Sequence, residues 1–248
     1  MHTTQHTLTA ALLGVALLAT AGCAADGLAG AARDDPPQPV DLRNAFGQEP
    51  VAGVYRVDAG PLAGEQVAFS ITPLPADAEA GASDEDNGGT APGQMLMEVQ
   101  SLRETSLERD DQGNVAIPRT IDLLEQVRVV YEPAATIVPA RMHVGEVRRQ
   151  EFQINVYRLA DGSRRAGGSG SIELELVEVG AFDTPIGRVD GYRLRERHDL
   201  HLSLARVNVE VDTIYGHEIG PVRKTTVHRT RALGLFGSTE RETLVRIE

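Results

Sequence analysis

The chain has 248 residues and a formal net charge of −12, with 41% hydrophobic and 24% charged residues. This apolar content is enough for one large domain or two small ones, and it excludes collagen-like, coiled-coil and multi-span membrane proteins. The acidic balance also argues against nucleic acid as a partner, because proteins that bind it use cations to displace phosphate counterions.

Residues 1–22 are a predicted signal peptide. An uncharged apolar run at 8–18 is too short to span a bilayer as a helix, and small residues follow it. The run Thr20-Ala21-Gly22-Cys23 ends at the only cysteine of the chain and resembles the lipobox of bacterial lipoproteins. That resemblance implies cleavage before Cys23, whose thiol and amino group would then carry fatty acyl chains such as palmitate.

Two destinations follow from this leader. Acylated Cys23 would anchor the protein to a membrane of the cell envelope, facing the periplasm, and Ala24 after the cysteine favours the outer over the inner membrane. Alternatively, Ala19-Thr20-Ala21 fits the Ala-x-Ala rule, so that a soluble secreted protein would begin at Gly22. A single cysteine excludes an internal disulfide in either case.

The mature chain is predicted to consist of a tether and one β domain. Residues 23–50 are small, acidic and rich in proline, which is typical of a linker, here a lipidated one. Residues 51–248 form the predicted β domain. Within it, the acidic and glycine-rich composition of 75–94 predicts a disordered loop.

Apolar residues alternate with polar ones along most of the β domain, which is typical of half-buried strands. The apolar sets are, in chain order, Val67, Phe69, Ile71; Met95, Met97, Val99; Val127, Val129, Tyr131; Phe152, Ile154, Val156; Ile172, Leu174, Leu176; Leu194, Leu200, Leu202, Leu204; and Val207, Val209, Val211. The alternation changes parity after Leu176, which predicts a β-bulge, and again after Leu204.

These patterns predict an all-β fold, a single domain built as an antiparallel, long-stranded and partly open (half) β-barrel. Turn residues separate the strands at 110–114, 160–163 and 216–221. Helical spacing of apolar residues occurs at 121–127. The glycine-rich run 167–171 is predicted to be a flexible hairpin tip.

The sequence contains no recognisable catalytic motif. Gly167-Gly168-Ser169-Gly170-Ser171 lacks the last glycine of a nucleophile elbow. His198 and His201 are the best metal candidates, but on a strand an odd separation directs them to opposite faces. We therefore expect neither enzymatic activity nor a metal or other cofactor.

From about Val138 to Arg231 the order of features resembles a family of exported bacterial proteins whose role is not known. The resemblance rests on the turn residues of Pro139–Gly145, Thr184–Tyr192 and Tyr215–Val222. It implies long-stranded, partly closed β-barrels, similar in shape to lipoprotein carriers. No ligand or catalytic residue is implied by it.

Together these features predict a bacterial cell-envelope lipoprotein with a non-enzymatic structural or interaction role, for which an envelope protein would be the partner. The alternative is a carrier that holds an apolar ligand such as an acyl chain in a concave barrel face. The candidate ligand-binding residues for that alternative are Phe152, Ile154, Leu174, Leu200, Leu202 and Leu204. An open aliphatic face would favour the carrier, and a face filled by its own side chains would favour the structural role.

Overall fold

The computed structural model describes residues 38–47, 49–74, 93–100, 102–203, 205–232 and 236–248. A short 3-10 helix lies at Arg43–Ala45. The strands are β1 (Val40–Asp41), β2 (Val51–Ala59), β3 (Gln66–Pro73), β4 (Gln94–Val99), β5 (Arg103–Arg109), β6 (Val115–Asp122), β7 (Val127–Val138), β8 (Arg141–Met142), β9 (Val147–Arg158), β10 (Arg164–Thr184), β11 (Gly187–Leu202), β12 (Ala205–Gly216), β13 (Gly220–Ala232) and β14 (Phe236–Arg246). In this part of the chain no helix is long and apolar enough to cross a membrane.

Twelve of these strands form a closed antiparallel barrel in the order β10-β11-β12-β13-β14-β2-β3-β4-β5-β6-β7-β9, and β9 pairs with β10 to complete the ring. The remaining two, β1 and β8, form a small separate sheet. This confirms the predicted all-β domain of long antiparallel strands. The ring closes further than the half-barrel expected from the sequence, because β14 pairs with β2 and so joins the end of the chain to its first long strand.

Side-chain alternation along β10 and β11 shows how the sequence builds the wall of the barrel. Leu174 and Leu176 point inward and are buried, whereas Glu175 lies on the outer face, where its carboxylate is 3.1 Å from the Arg195 guanidinium. Each fully buried leucine contributes about 1.5–3 kcal/mol relative to an exposed one. The predicted bulge is confirmed by a register shift between Leu176 and Glu178.

Two local predictions are corrected by the structure. The second parity change is a hairpin turn between Leu202 of β11 and Ala205 of β12, so one predicted long strand is two strands. Residues 123–126 form the turn between β6 and β7 and are not helical. The helical spacing there arises because apolar residues of two adjacent strand ends flank a short turn.

The glycine-rich run 167–171 is also corrected, because it lies within β10 and not at a hairpin tip. Gly168 faces the backbone of β11, and a Cβ atom placed on it would lie 1.8 Å from the carbonyl oxygen of His201. The glycine therefore allows two strand backbones to approach closely.

Residues 38–47 fold across one end of the barrel, which we call the plug end. Leu42 and Ala45 are completely buried, and Phe46 packs edge-on against Tyr215 with ring centroids 5.7 Å apart. The predicted tether, 23–50, therefore ends earlier than expected. Its last residues join the core because they supply three apolar side chains to the end of an otherwise open ring.

Residues 38–47, which we call the plug, are held in place by hydrogen bonds from the barrel wall. The guanidinium of Arg109 donates to the carbonyl oxygens of Arg43 and Phe46, at 2.7 Å each. The backbone of Glu218 donates to the carbonyl of Asn44 at 2.6 Å, next to the turn between β12 and β13. The plug is thus tied to the wall at several backbone positions.

Parts of the predicted domain organisation lie outside the described residues. These are the signal peptide, Cys23 and the section of the acidic loop from 75 to 92. The two last residues of that predicted loop are described, and Gln94 begins β4.

Candidate functional site

The residues predicted to bind an apolar ligand lie in the packed core. Phe152, Ile154 and Leu174 are each 3% exposed, and Leu200 and Leu202 are partly buried against the same core. Leu204 lies outside the described residues. The structure therefore brings five of the six predicted positions to one inner face, where they contact the protein itself.

Aromatic and aliphatic side chains fill the space beside these residues. The Phe152 ring packs edge-on against Tyr131, with centroids 5.4 Å apart. Gly170 lies on the same face, where an added Cβ atom would come within 2.7 Å of both Phe152 and Leu200. An acyl chain could enter this region only if the core side chains moved apart.

A second part of the interior is polar, which the sequence analysis did not predict. We call the following residues the interior charged cluster: Arg103, Glu196, His198, Lys224 and His228. Glu196 is 5% exposed, and its carboxylate lies 3.1 Å from Nε2 of His198. His201, three residues further along β11, is on the outer face beside Asp199, so the two histidines do face opposite sides as predicted.

Burial disfavours the charged forms of two residues in this cluster. Burial lowers the pKa of Lys224 below its usual value, although the nearby Glu196 carboxylate acts in the opposite direction. The pKa of His228 falls to about 4 because of burial and the nearby cations Arg103 and Lys224. The imidazole of His228 is therefore uncharged at neutral pH.

Unpartnered polar groups lie near the cluster. The Oγ1 atoms of Thr213 and Thr226 are buried and have no hydrogen-bond partner among the described residues. Thr213 is opposite Lys224 in the ladder between β12 and β13. A small polar molecule such as water would find free donors and acceptors here.

The described residues of the interior contain no cluster of three metal-ligating side chains. Across residues 38–47, 49–74, 93–100, 102–203, 205–232 and 236–248, no three His, Cys, Asp or Glu side chains are close enough to hold an ion. The sequence signal for the polar interior lies on the inward faces of β13 and β14. Lys224, the only lysine of the chain, and His228 occupy positions there that apolar residues occupy in other strands.

A polar groove of about 350 Å³ opens to the outside of the barrel, and of the predicted ligand-binding residues that the structure describes only Phe152 borders it. It is lined by Glu132, Pro133, Arg149, Glu151, Phe152, Gln153, Ser169, Gly170, Ser171, Asp199 and His201. We call this surface the seam groove, because it lies where β7 and β9 separate. Its charged residues carry both signs, so it suits a partner with both donors and acceptors.

The seam groove brings serine, histidine and aspartate residues together on neighbouring strands. Ser169 is opposite His201, and Ser171 is opposite Asp199, in the ladder between β10 and β11. Among the described residues no hydrogen bond joins either serine to His201. The Asp199 carboxylate accepts a 2.6 Å hydrogen bond from Arg206 and also lies 3.3 Å from Nε2 of His201. The hydrogen bond with Arg206 is the largest cause that lowers the pKa of Asp199.

No protein-family model matches this chain, and no curated protein matches it. Two solved structures align with it over most of its length. One is a Bacteroides fragilis protein described as exported and as having a YmcC-like fold, with 10% identity and a TM-score of 0.41 over 85% of this chain and 99% of the other. The second, from Parabacteroides distasonis and described as a lipoprotein, has 10% identity and a TM-score of 0.39 over 84% of this chain and 99% of the other.

Proposed function

We propose that this protein is a bacterial cell-envelope lipoprotein, anchored by acylated Cys23, that acts without enzymatic chemistry by binding another envelope component. The barrel faces the periplasm in this proposal, and the outer membrane is its preferred location. The observation that carries the interaction role is the filled interior, since the residues expected to line a ligand cavity pack against one another.

The anchor is supported by the sequence of the leader. The apolar run 8–18, the small residues after it and the single cysteine at position 23 fit a lipoprotein signal. Acyl chains on Cys23 would supply about 0.8 kcal/mol of membrane binding per buried CH₂ group. Several chains on one residue therefore hold a protein on a bilayer without a spanning helix.

The path of the chain supports one orientation of the anchored barrel. Fourteen residues lie between Cys23 and Gln38, the first described residue, and this stretch reaches at most about 50 Å when fully extended. The chain then enters the plug end, where Leu42 is completely buried. In this proposal the plug end is tethered near the membrane, and the outer wall of the barrel is left free to bind a partner.

The filled interior argues against the alternative of an apolar carrier. A carrier needs a cavity of several hundred Å³ lined mostly by apolar side chains. The groove of about 350 Å³ in this structure is on the outer wall and has charged residues in its lining. A partner with polar groups suits this surface better than an acyl chain does.

Membrane fractionation of Cys23→Ser tests the proposal. The wild-type protein should sediment with membranes, and Cys23→Ser should accumulate as uncleaved precursor or as soluble protein. Ala24→Ser is the matched control, because it alters the next residue and leaves the thiol, so it should fractionate like the wild type. Wild-type protein that is soluble and begins at Gly22 would contradict the anchor.

A further inference from the structure

Strands β7 and β9 are hydrogen-bonded along only half of their length. Their ladder runs from the pair Val127 and Arg158 to the pair Glu132 and Gln153 and stops there. The next residue of β7 is Pro133, which has no N–H group to donate. Beyond this point β7 pairs only with β6, and β9 pairs only with β10.

A side chain occupies the place of the lost backbone pairing. The Gln150 Oε1 atom accepts a 2.8 Å hydrogen bond from the backbone N–H of Thr136, and Gln150 Nε2 donates a 2.8 Å bond to the carbonyl oxygen of Ala134. One acceptor and one donor, in this order, are what a residue of a neighbouring strand would offer. The Gln150 amide thus imitates a strand at this edge of β7.

The facing edge of β9 has lost its strand partner. If the ladder continued in register, Ala134 would be opposite Glu151 and Thr136 would be opposite Arg149. The Gln150 amide takes those two positions on β7 instead. Within the described residues, the backbone groups that Arg149 and Glu151 direct toward β7 therefore have no ladder partner, and an unpaired strand edge is a template for another chain.

The seam groove gives access to this edge from outside. Arg149 and Glu151 both line it, and their side chains are 60% and 79% exposed. The ion pair between them is 3.7 Å long and contributes little in water, so a partner can replace it. The edge and its two flanking charges are thus both reachable.

We propose that the seam between β7 and β9 is a docking slot for an extended polypeptide segment. Such a segment would add a strand to the backbone of Arg149 and Glu151 and replace the Gln150 amide on Ala134 and Thr136. A peptide is the partner that fits, because it alone presents donors and acceptors at the spacing of a strand edge. This inference rests on the proposed interaction function and names the class of its partner.

The sequence of β9 itself indicates a suitable probe. A terminally blocked peptide with the sequence of residues 147–154, aligned antiparallel with β9 about Gln150, places its own Glu opposite Arg149 and its own Arg opposite Glu151. Cross-strand pairs of opposite charge favour that alignment. A fluorescent form of this peptide can be titrated with the full-length protein in detergent, and binding can be followed by anisotropy.

The peptide should bind the wild type, and Gln150→Ala should bind it at least tenfold more tightly because the competing amide is gone. Gln66→Ala, at the exposed start of β3 and away from the seam groove, is the matched control and should bind like the wild type. A peptide with N-methyl groups at alternate residues should not bind, because it lacks the backbone donors. Equal binding of the methylated peptide, or no binding to either the wild type or a folded Gln150→Ala, would overturn the slot.

Hydrogen exchange on the wild type keeps the test decisive if Gln150→Ala fails to fold. The backbone amides of Arg149 and Glu151 should exchange quickly in the free protein and become protected when the peptide is added. Unchanged exchange at saturating peptide would overturn the slot. That failure would leave the fractionation result for Cys23→Ser untouched, so the anchor and the slot can fail separately.

Discussion

The phenolic hydroxyl of Tyr192 donates a 2.9 Å hydrogen bond to the carbonyl oxygen of Leu42. Both residues are completely buried, although 150 positions separate them in the chain. Burial raises the pKa of Tyr192, so the phenol stays protonated and remains a donor. This contact fixes the segment that enters the barrel to the wall that surrounds it.

The plug should contribute substantially to stability. Leu42→Ala removes a fully buried side chain and should lower the free energy of unfolding by about 2–5 kcal/mol. Leu124→Ala is the control, because Leu124 is 54% exposed in the turn after β6. It should change stability by about 0.5 kcal/mol or less. Urea denaturation measures both, and equal small losses would show that the plug does not pack as described.

If side chains fill the barrel, truncating one of them should lower stability, and the folded protein should not bind an apolar ligand. Leu174→Ala truncates a core leucine and should lower the free energy of unfolding by about 2–5 kcal/mol. The folded wild type should not enhance the fluorescence of an environment-sensitive apolar dye. A small loss in Leu174→Ala together with dye binding to the folded wild type would instead support an open, ligand-binding face.

Stability should depend on pH through His228. The folded protein holds the pKa of His228 at about 4, whereas the value for an unperturbed histidine is 6.5. Between these values the unfolded chain binds a proton that the folded protein does not bind. The contribution of His228 to stability is therefore complete above pH 6.5 and is lost as the pH falls to about 4, by on the order of 2–3 kcal/mol.

Denaturation at a series of pH values isolates this contribution. His228→Gln removes the titrating group and should lose less stability than the wild type between pH 6.5 and 4. His217→Gln is the control, because His217 is exposed in the turn between β12 and β13, and it should follow the wild type. The carboxylates titrate in all three proteins, so their effect cancels. Parallel curves for His228→Gln and the wild type would show that His228 titrates normally.

Strands with one apolar face could be predicted from the sequence. β3, β9 and β10 each bury alternate apolar residues, so local spacing identifies them without knowledge of their partners. The bulge after Leu176 was also predictable, because the apolar residues of the sequence change parity there, from Leu174 and Leu176 to Val177 and Val179.

The closure of the barrel and its polar contents could not be predicted in this way. Closure depends on pairs that are distant in sequence, such as Val245 of β14 with Arg56 of β2. The inward faces of β13 and β14 carry Lys224 and Glu240, so they lack the apolar alternation of a half-buried strand. Leu42 lies between Asp41 and Arg43 in a short segment without a long alternating pattern, so its burial at the end of the ring could not be read from local spacing.

The seam between β7 and β9 was equally hidden in the sequence. Pro133 removes a backbone donor from β7, but the consequence depends on which strand lies beside it. The role of Gln150 appears only when Thr136 and Ala134 are brought next to it by the barrel. Side chains that complete a backbone ladder have no local pattern that could identify them.

The intact mass of the protein tests the account most directly. The protein is extracted from membranes in mild detergent, and its mass is measured first under native and then under denaturing conditions. We predict a chain that begins at Cys23 and carries covalent acyl groups, with the same mass under both conditions. A chain that begins at Gly22 without modification would contradict the anchor. A lipid that is present in the native spectrum and lost on denaturation would contradict the filled barrel and support a carrier.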